Sequence, residues 1–504
     1  MGQARGYGLG GCIVFFFMSL LGHGGIGAHF PVIVLPEEGG EKVEFNQQYY
    51  YYDSINLNGE NAANQFIVKY RKIMTADDLL VKFPQSLGAQ VVRMMGPALP
   101  GAWVVRISSN LSPSTARQLM STLEHDPEFE YAELDQWRRL PDHSTSHSEG
   151  RGEETTNNVA WNLDIPAYAP GGINLNPVPA DVNGKGISVA VVDTGILPHP
   201  QLFPNLAKGY DFFATPAHTI NSALDPGDGH KSTQCDSYST ENIDYPSSWH
   251  GTRVAGVIAA SGQDATSHAT MQGIAPHAKI LPVRVLGPCG GRDSSIIDAI
   301  AWAVGMSMPN VPPNLDNKAR IVTISFNGVG PCPRSYRQLM HMLRKNGDNV
   351  VVVAAAGDGK RNSRDYAPAN CPGVISVAAH RHDGALASYS NYGAMVTLAA
   401  PGGEEGISDA PGIGSTANAG ITEPQEGAHN YHIGAGTGMA AAHVSGVVAL
   451  MLSANPDLTS AAIRELLIAS ARTPPGDCPG CSAGLLDAAA AVKAALTVRK
   501  KAQQ

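Results

Sequence analysis

From residue 186 onward, continuous apolar runs of strand length alternate with longer stretches of helical period. The runs are GISVAVVDTG (186–195), AKILPVRVLG (278–287), ARIVTISFNG (319–328), NVVVVAAAGD (349–358) and GVISVAAH (373–380). Unbroken apolar strands, without alternation, are the mark of strands covered on both faces. Between them lie HGTRVAGVIAAS, SSIIDAIAWAVGM and SYRQLMHMLRKNG, and SAAIRELLIASAR (460–472) and DAAAAVKAAL (487–496) close the chain. This alternation predicts a three-layer α/β domain with a mostly parallel sheet over 159–498. No internal repeat is visible.

Residues 63–140 carry a different pattern. QFIVKY (65–70) alternates like a strand, TADDLLVKF (75–83) is helical with Thr75 as its N-cap, and AWVVRIS (102–108) is a strand. SPSTARQLMSTLEHD (112–126) is a helix with Pro113 in its first turn, and FEYAELD (129–135) is a final strand. A further strand is expected near AQVVRM (89–94). The order predicts a small ferredoxin-like α+β sandwich. The polar stretch 141–158 reads as an exposed linker, and 29–62, with its tyrosine run at 49–52, as a spacer.

At the N-terminus, Arg5 precedes CIVFFFMSLL (12–21) and the small residues of GHGGIGA. This is the layout of a secretory signal over 1–28, with cleavage near Ala28. The run is too short to span a bilayer as a helix. LGGC (9–12) resembles a lipoprotein box, but its cysteine precedes the apolar run. The expectation is export, extracellular or periplasmic, with no membrane association after signal removal.

Composition narrows the function. The 504 residues are 43% hydrophobic and 16% charged, enough for a sizeable core, and the net charge of −9 leaves no basic stripe for nucleic acid. Beyond the signal six cysteines remain: Cys235, Cys289, Cys332, Cys371, Cys478 and Cys481. An even number in an exported chain points to disulfides, with about 15 pairings open. CPGC (478–481) has no second pair to complete a zinc site, so a small closed loop is expected.

Candidate chemistry gathers where strands end. Asp193 closes SVAVVD before a Thr-Gly turn. His250 opens HGTRVAGVIAA. A small-residue turn enters a helix at GTGMAAAHVSG, around Gly438. AVVDTG, HGTRVAGVIAA and GTGMAAAHVSG resemble the three active-site motifs of the subtilisin-like serine proteases, the subtilases. The likeness covers about 160–498, and 63–140 resembles their propeptide. VRVLGPCGG, NCPGVISVAA and CPGCSAGLLDAAAA are similar to the secreted bacterial branch. The resemblance implies a subtilisin-like fold, endopeptidase activity on polypeptides, no cofactor for the chemistry, and folding assisted by the propeptide. By position, Asp193 and His250 match the acid and base. Leu286, Gly287, Gly290 and Gly291, with Ser325, Phe326, Asn327 and Gly328, match the strands that clasp a peptide. His443 matches a family histidine but lies a turn inside the helix and reads as packed.

Four positions depart from the family. Its serine falls on Gly438, which offers no Oγ for a histidine to deprotonate, although its N–H stays at a helix N-terminus. Its oxyanion asparagine falls on Asp358, and an ionised carboxylate only accepts hydrogen bonds. Ala442 replaces a proline and Arg253 a second histidine. Ser415 and Thr437 are the nearest replacement hydroxyls in sequence. The expected function is a pseudoprotease that binds peptides with little or no hydrolysis. The alternatives are an active endopeptidase using another hydroxyl, and a propeptide that inhibits or chaperones a sibling protease. Expected partners are polypeptides, the chain's own propeptide and a related active protease. The loop 224–236 repeats Asp and Gly, so a structural calcium ion is weighed there against a solvated loop.

Overall fold

The computed structural model describes residues 63–502, apart from 73, 141–159, 214–222, 236–243, 263–270, 346–348, 405–410 and 477. The expected signal (1–28), spacer (29–62) and linker (141–158) lie outside the described residues.

The N-terminal unit runs β1 (Ala63–Tyr70), α1 (Ala76–Val81), β2 (Gln90–Met94), β3 (Ala102–Leu111), α2 (Pro113–His125) and β4 (Phe129–Leu134), with a short β5 (Trp137–Arg138) after it. Its strands form an antiparallel sheet in the order β2-β3-β1-β4, the expected sandwich including the extra strand. Thr75 closes a capping box with Asp78, and Ser112 caps α2 ahead of Pro113. β1 departs from the expected alternation: Gln65 and Lys69 are buried along with its apolar residues. The reason is tertiary, since the second face of this sheet, through Ile67, Val104 and Tyr131, shares one apolar cluster with two helices of the larger domain.

In the larger domain, chain order is β6 (Ser188–Asp193), β7 (Tyr210–Asp211), β8 (His230–Lys231), α3 (Ser232–Cys235), β9 (Asp244–Tyr245), α4 (His250–Ala259), β10 (Lys279–Arg284), β11 (Gly291–Arg292) and α5 (Asp293–Ala303). Then come β12 (Ile321–Ile324), β13 (Gly328–Val329), α6 (Arg334–Lys345), β14 (Val351–Ala355), β15 (Tyr366–Ala367), β16 (Ile375–His380), β17 (Leu398–Pro401), β18 (Ile413–Asn418), β19 (His429–Gly434), α7 (Thr437–Ala454), α8 (Ser460–Ser470) and α9 (Ala488–Ala502). A seven-stranded sheet in the order β17-β16-β14-β12-β6-β10-β7 is parallel throughout. Strand alternation divides its faces. Val189 and Val191 join the cluster of α4 and α7, whereas Ala190 and Val192 join that of α5 and α6. The expected three-layer α/β domain is present. α7 is its central helix, buried along nearly its whole length.

The cysteines pair as Cys235–Cys289, Cys332–Cys371 and Cys478–Cys481. The last closes the CPGC loop as expected.

The N-terminal sheet donates carboxylates to the helices beneath it. Asp135 accepts from Ser294 N–H (2.8 Å) and Oγ (2.7 Å) at the start of α5, and Glu133 from Arg334 N–H (2.8 Å) and Ser335 N–H (3.1 Å) at the start of α6. Burial nevertheless lifts Glu133 from its ordinary 4.5 to about 7, ahead of the opposing hydrogen bonds. A raised carboxyl favours the docked state fully below pH 4.5 and loses that contribution as pH rises through about 7. Amide exchange of β1 and β4 is therefore expected to be slower at pH 5.5 than at pH 8.5, measured as protection relative to intrinsic rates. The difference should vanish in Glu133→Gln.

Candidate active site

Asp193 sits at the carboxyl end of β6, fully buried. The chain then turns through Gly195 at φ 106°, where an added Cβ would stand 2.8 Å from Leu224 and Asp225 backbone atoms. Glycine is required at this turn. His250 is the first residue of α4 and follows Trp249 in the left-handed region. A Cβ at Gly251 would lie 2.2 Å from Gly195 O, so the His-Gly pair lets α4 seat directly on the Asp-Thr-Gly turn. The two motifs are complementary halves of one contact.

That contact aims the ring. His250 Nδ1 lies 2.9 and 3.0 Å from the two Asp193 oxygens, and Thr194 N–H donates to Oδ1 at 2.8 Å. A carboxylate so placed fixes the tautomer and leaves Nε2 toward the cleft. Thr194 Oγ1 in turn donates to Asp225 (2.7 Å) and accepts from Gly251 N–H (3.1 Å).

Opposite Nε2 stands Gly438, in the first turn of α7. A Cβ there would lie 3.0 Å from His250 Nε2 and 3.1 Å from Ser325 O. Any side chain at 438 would thus be directed at the histidine. Asp193, His250 and Gly438 come together, although 57 residues separate the first pair.

Asp358 follows β14 and its Oδ1 accepts from Thr437 N–H (2.9 Å) and Thr437 Oγ1 (2.5 Å). It places its carboxylate on the first N–H of α7, where a helix end favours negative charge. The replacement hydroxyls are engaged elsewhere. Thr437 Oγ1 is held by Asp358 and by Gly357 N–H, and Ser415 Oγ donates to Arg253 O at 2.5 Å. His443 is packed as expected: it contacts Met439 O and Asn162 at 2.8 Å, and burial lowers its pKa to about 4.

The two segments expected to clasp a peptide flank the chain's own residues 137–139. β5 pairs antiparallel with β11, Arg138 opposite Gly291, and Arg139 exchanges backbone hydrogen bonds with Asn327 at 3.2 and 3.3 Å. Gly290 (φ 99°) must lack a Cβ, which would lie 2.2 Å from Arg138 O. The remaining candidates behave differently. Gly287 and Gly290 bond each other, Gly328 pairs with Ala367, and Leu286 and Phe326 point into the core.

Arg138 is the residue that sequence reasoning missed. It sits in a polar stretch, yet it is fully buried and bidentate to Asp293: Nε–Oδ1 is 2.6 Å and Nη2–Oδ2 is 2.7 Å. No local signal foretells a partner 155 residues away. In the loop weighed for calcium, Asp225 accepts from Thr194 and Gly227, and Asp228 from Ser248. Among the described residues no group of three or more His, Cys, Asp or Glu could hold a metal ion, and Asp236 lies outside them.

Known proteins resemble this chain along most of its length. A family model described as the subtilase family matches residues 184–494. An extracellular protease of Xanthomonas campestris pv. campestris is 39% identical over 427 residues, 82% of this chain and 67% of the relative. An extracellular basic protease of Dichelobacter nodosus is 33% identical over 463 residues, 87% of this chain and 72% of the relative. Among solved structures, a protease of Pseudoalteromonas arctica aligns with TM-score 0.60 at 38% identity, covering 67% of this chain and 98% of its own. Fervidolysin of Fervidobacterium pennivorans, 23% identical at TM-score 0.58 over 89% of this chain and 64% of its own, shares the fold.

Proposed function

Because the chain belongs to the subtilase family, we propose that it is a secreted member that keeps the peptide-binding scaffold and has lost the nucleophile. One observation carries this reading: the position facing His250 Nε2 is Gly438, with no oxygen to attack a carbonyl. The engagement of Thr437 and Ser415 in other hydrogen bonds supports it. Asp358 adds to it, since a carboxylate where an amide donor is wanted opposes oxyanion charge. Export is supported by three disulfides and by relatives named extracellular proteases. The ligand class is polypeptide, and the strand position between 285–291 and 325–328 is the one held by the chain's own residues 137–139.

The N-terminal unit is then a propeptide that stays in place. Its segment 137–139 already holds the strand positions a peptide would take, and no Oγ is available to release it. The purified full-length chain is expected to keep residues 63–140 by intact mass after prolonged incubation. It should take up no fluorophosphonate probe.

A second reading rests on Ser325, whose buried hydroxyl has no hydrogen-bond partner among the described residues, and whose carbonyl lies 3.1 Å from the empty Cβ position. On that reading the probe labels Ser325, and labelling disappears in His250→Ala. Such labelling, or self-trimming near residue 140, would overturn the pseudoprotease.

A further inference from the structure

A cleft of about 650 Å³ opens where the N-terminal sheet meets α6. Lys69, Arg71, Glu130 and Tyr131 line it from the sheet side, and Arg334, Arg337 and Gln338 from the helix. Four cations face one carboxylate. Two of the cations are engaged: Lys69 pairs with Glu130 at 3.1 Å, and Arg334 pairs with Glu124 at 2.9 Å while lying over the Tyr131 ring. The exposed guanidinium groups of Arg71 and Arg337 meet no carboxylate among the described residues.

Two buried polar atoms of the lining residues, one on each wall, also lack partners. Tyr131 is only 2% exposed, and its hydroxyl has no hydrogen bond. Gln338 Oε1 has no donor. A buried hydroxyl without a partner is unfavourable, and this one belongs to a residue that lines the cleft.

We propose that this cleft binds a phosphate group, free or as a monoester, held by Arg71 and Arg337 with the Tyr131 hydroxyl donating to it, and that the ligand ties the N-terminal sheet to α6. Guanidinium groups match phosphate oxygens bidentately. Burial, with Glu133 and Glu130 nearby, pushes the Tyr131 phenol far up, so it remains an O–H donor at every ordinary pH. Gln338 Oε1 asks for the opposite partner, a hydroxyl, which a protonated phosphate or the alcohol part of an ester brings. The volume exceeds what a bare anion needs, since water itself takes about 30 Å³. A sugar-sized group fits beside the phosphate. Arg71 and Tyr131 come from the sheet, and Arg337 and Gln338 from α6, so occupancy links the two bodies.

Isothermal titration of the full-length chain with inorganic phosphate, glucose 6-phosphate and glucose tests this. Both phosphates should bind and glucose should not. A tighter ester assigns the cleft to monoesters, and equal affinity assigns it to the free anion. The double variant Arg71→Ala/Arg337→Ala should raise Kd by about tenfold or more, a loss the expected ion contacts imply. Arg71→Lys should retain part of the affinity. Tyr131→Phe should weaken binding several-fold while raising the ligand-free melting midpoint, since it removes a buried hydroxyl that has no partner. With ligand, the melting midpoint should rise in the parent and not in the double variant. No binding at millimolar phosphate, or binding that survives Arg71→Ala/Arg337→Ala, overturns the proposal.

Discussion

Replacing Gly438 by serine is expected to raise hydrolysis of casein by about 10³-fold or more over background, since removing a triad serine costs on the order of 10⁶ in kcat. The acid–base pair already stands at 2.9 Å, and a Cβ at 438 points at His250 Nε2. The restored residue needs a small adjustment, because 3.0 Å between Cβ and Nε2 is tighter than a hydrogen-bonded serine allows. The ring has to withdraw by a few tenths of an ångström, well within side-chain freedom. Asp358→Asn alone should do nothing, because no oxyanion forms. Added to Gly438→Ser, it should give about a further 10²-fold, the usual worth of one oxyanion donor. It should also cost α7 about 1 kcal/mol or less, since an asparagine still accepts from Thr437 but without charge. The first product of a restored enzyme should be its own chain, cut near residue 140, detectable by intact mass before casein turnover. If neither variant hydrolyses casein or itself, the proposal that the absence of an Oγ at 438 accounts for lost hydrolysis fails.

The second large effect concerns the buried ion pair between Arg138 and Asp293. Asp293→Ala should destabilise the docked N-terminal unit by about 3–5 kcal/mol, because Arg138 is then left charged and unpartnered in a dry site. Arg138 is fully buried and its guanidinium is bidentate to Asp293. The double variant Asp293→Leu/Arg138→Met should recover most of the loss, since apolar replacement removes both charges together. Urea unfolding of the parent, Asp293→Leu, Arg138→Met and Asp293→Leu/Arg138→Met in a double-mutant cycle gives the coupling directly. A loss near zero for Asp293→Ala would mean that Arg138 escapes to water, so that 137–139 is not held in the cleft as described.

The fold was legible wherever pattern and length agreed. The central strands at 188–193, 279–284, 321–324, 351–355 and 375–380 lie within the expected segments, because a strand covered on both faces must be apolar without interruption; α4 and α8 also lie within theirs, whereas α5 and α6 start one residue earlier and α9 runs on to Ala502. The edges were not legible. β7 has two residues and β17 four, too short to show a period. The hairpin β18–β19 was missed for another reason. β18 reads IGSTAN, a loop-like sequence, yet it is wholly buried. Its hydroxyls are satisfied by helix backbone: Ser415 donates to Arg253 O and Thr416 to Thr252 O.

The sequence alone determined which chemical groups are present and the short turns that carry them: an aspartate ending a buried strand, a histidine opening a helix, and a glycine in the first turn of the central helix. These are local facts, since turn geometry and side-chain identity are written within a few residues. Tertiary structure alone decided what each group meets. Asp358 caps α7, Arg138 finds Asp293, and residues 137–139 lie between Gly291 and Asn327. Such pairings depend on segments brought together from far apart in the chain. Their energy comes from desolvation and hydrogen-bond geometry that exist only once the core has closed.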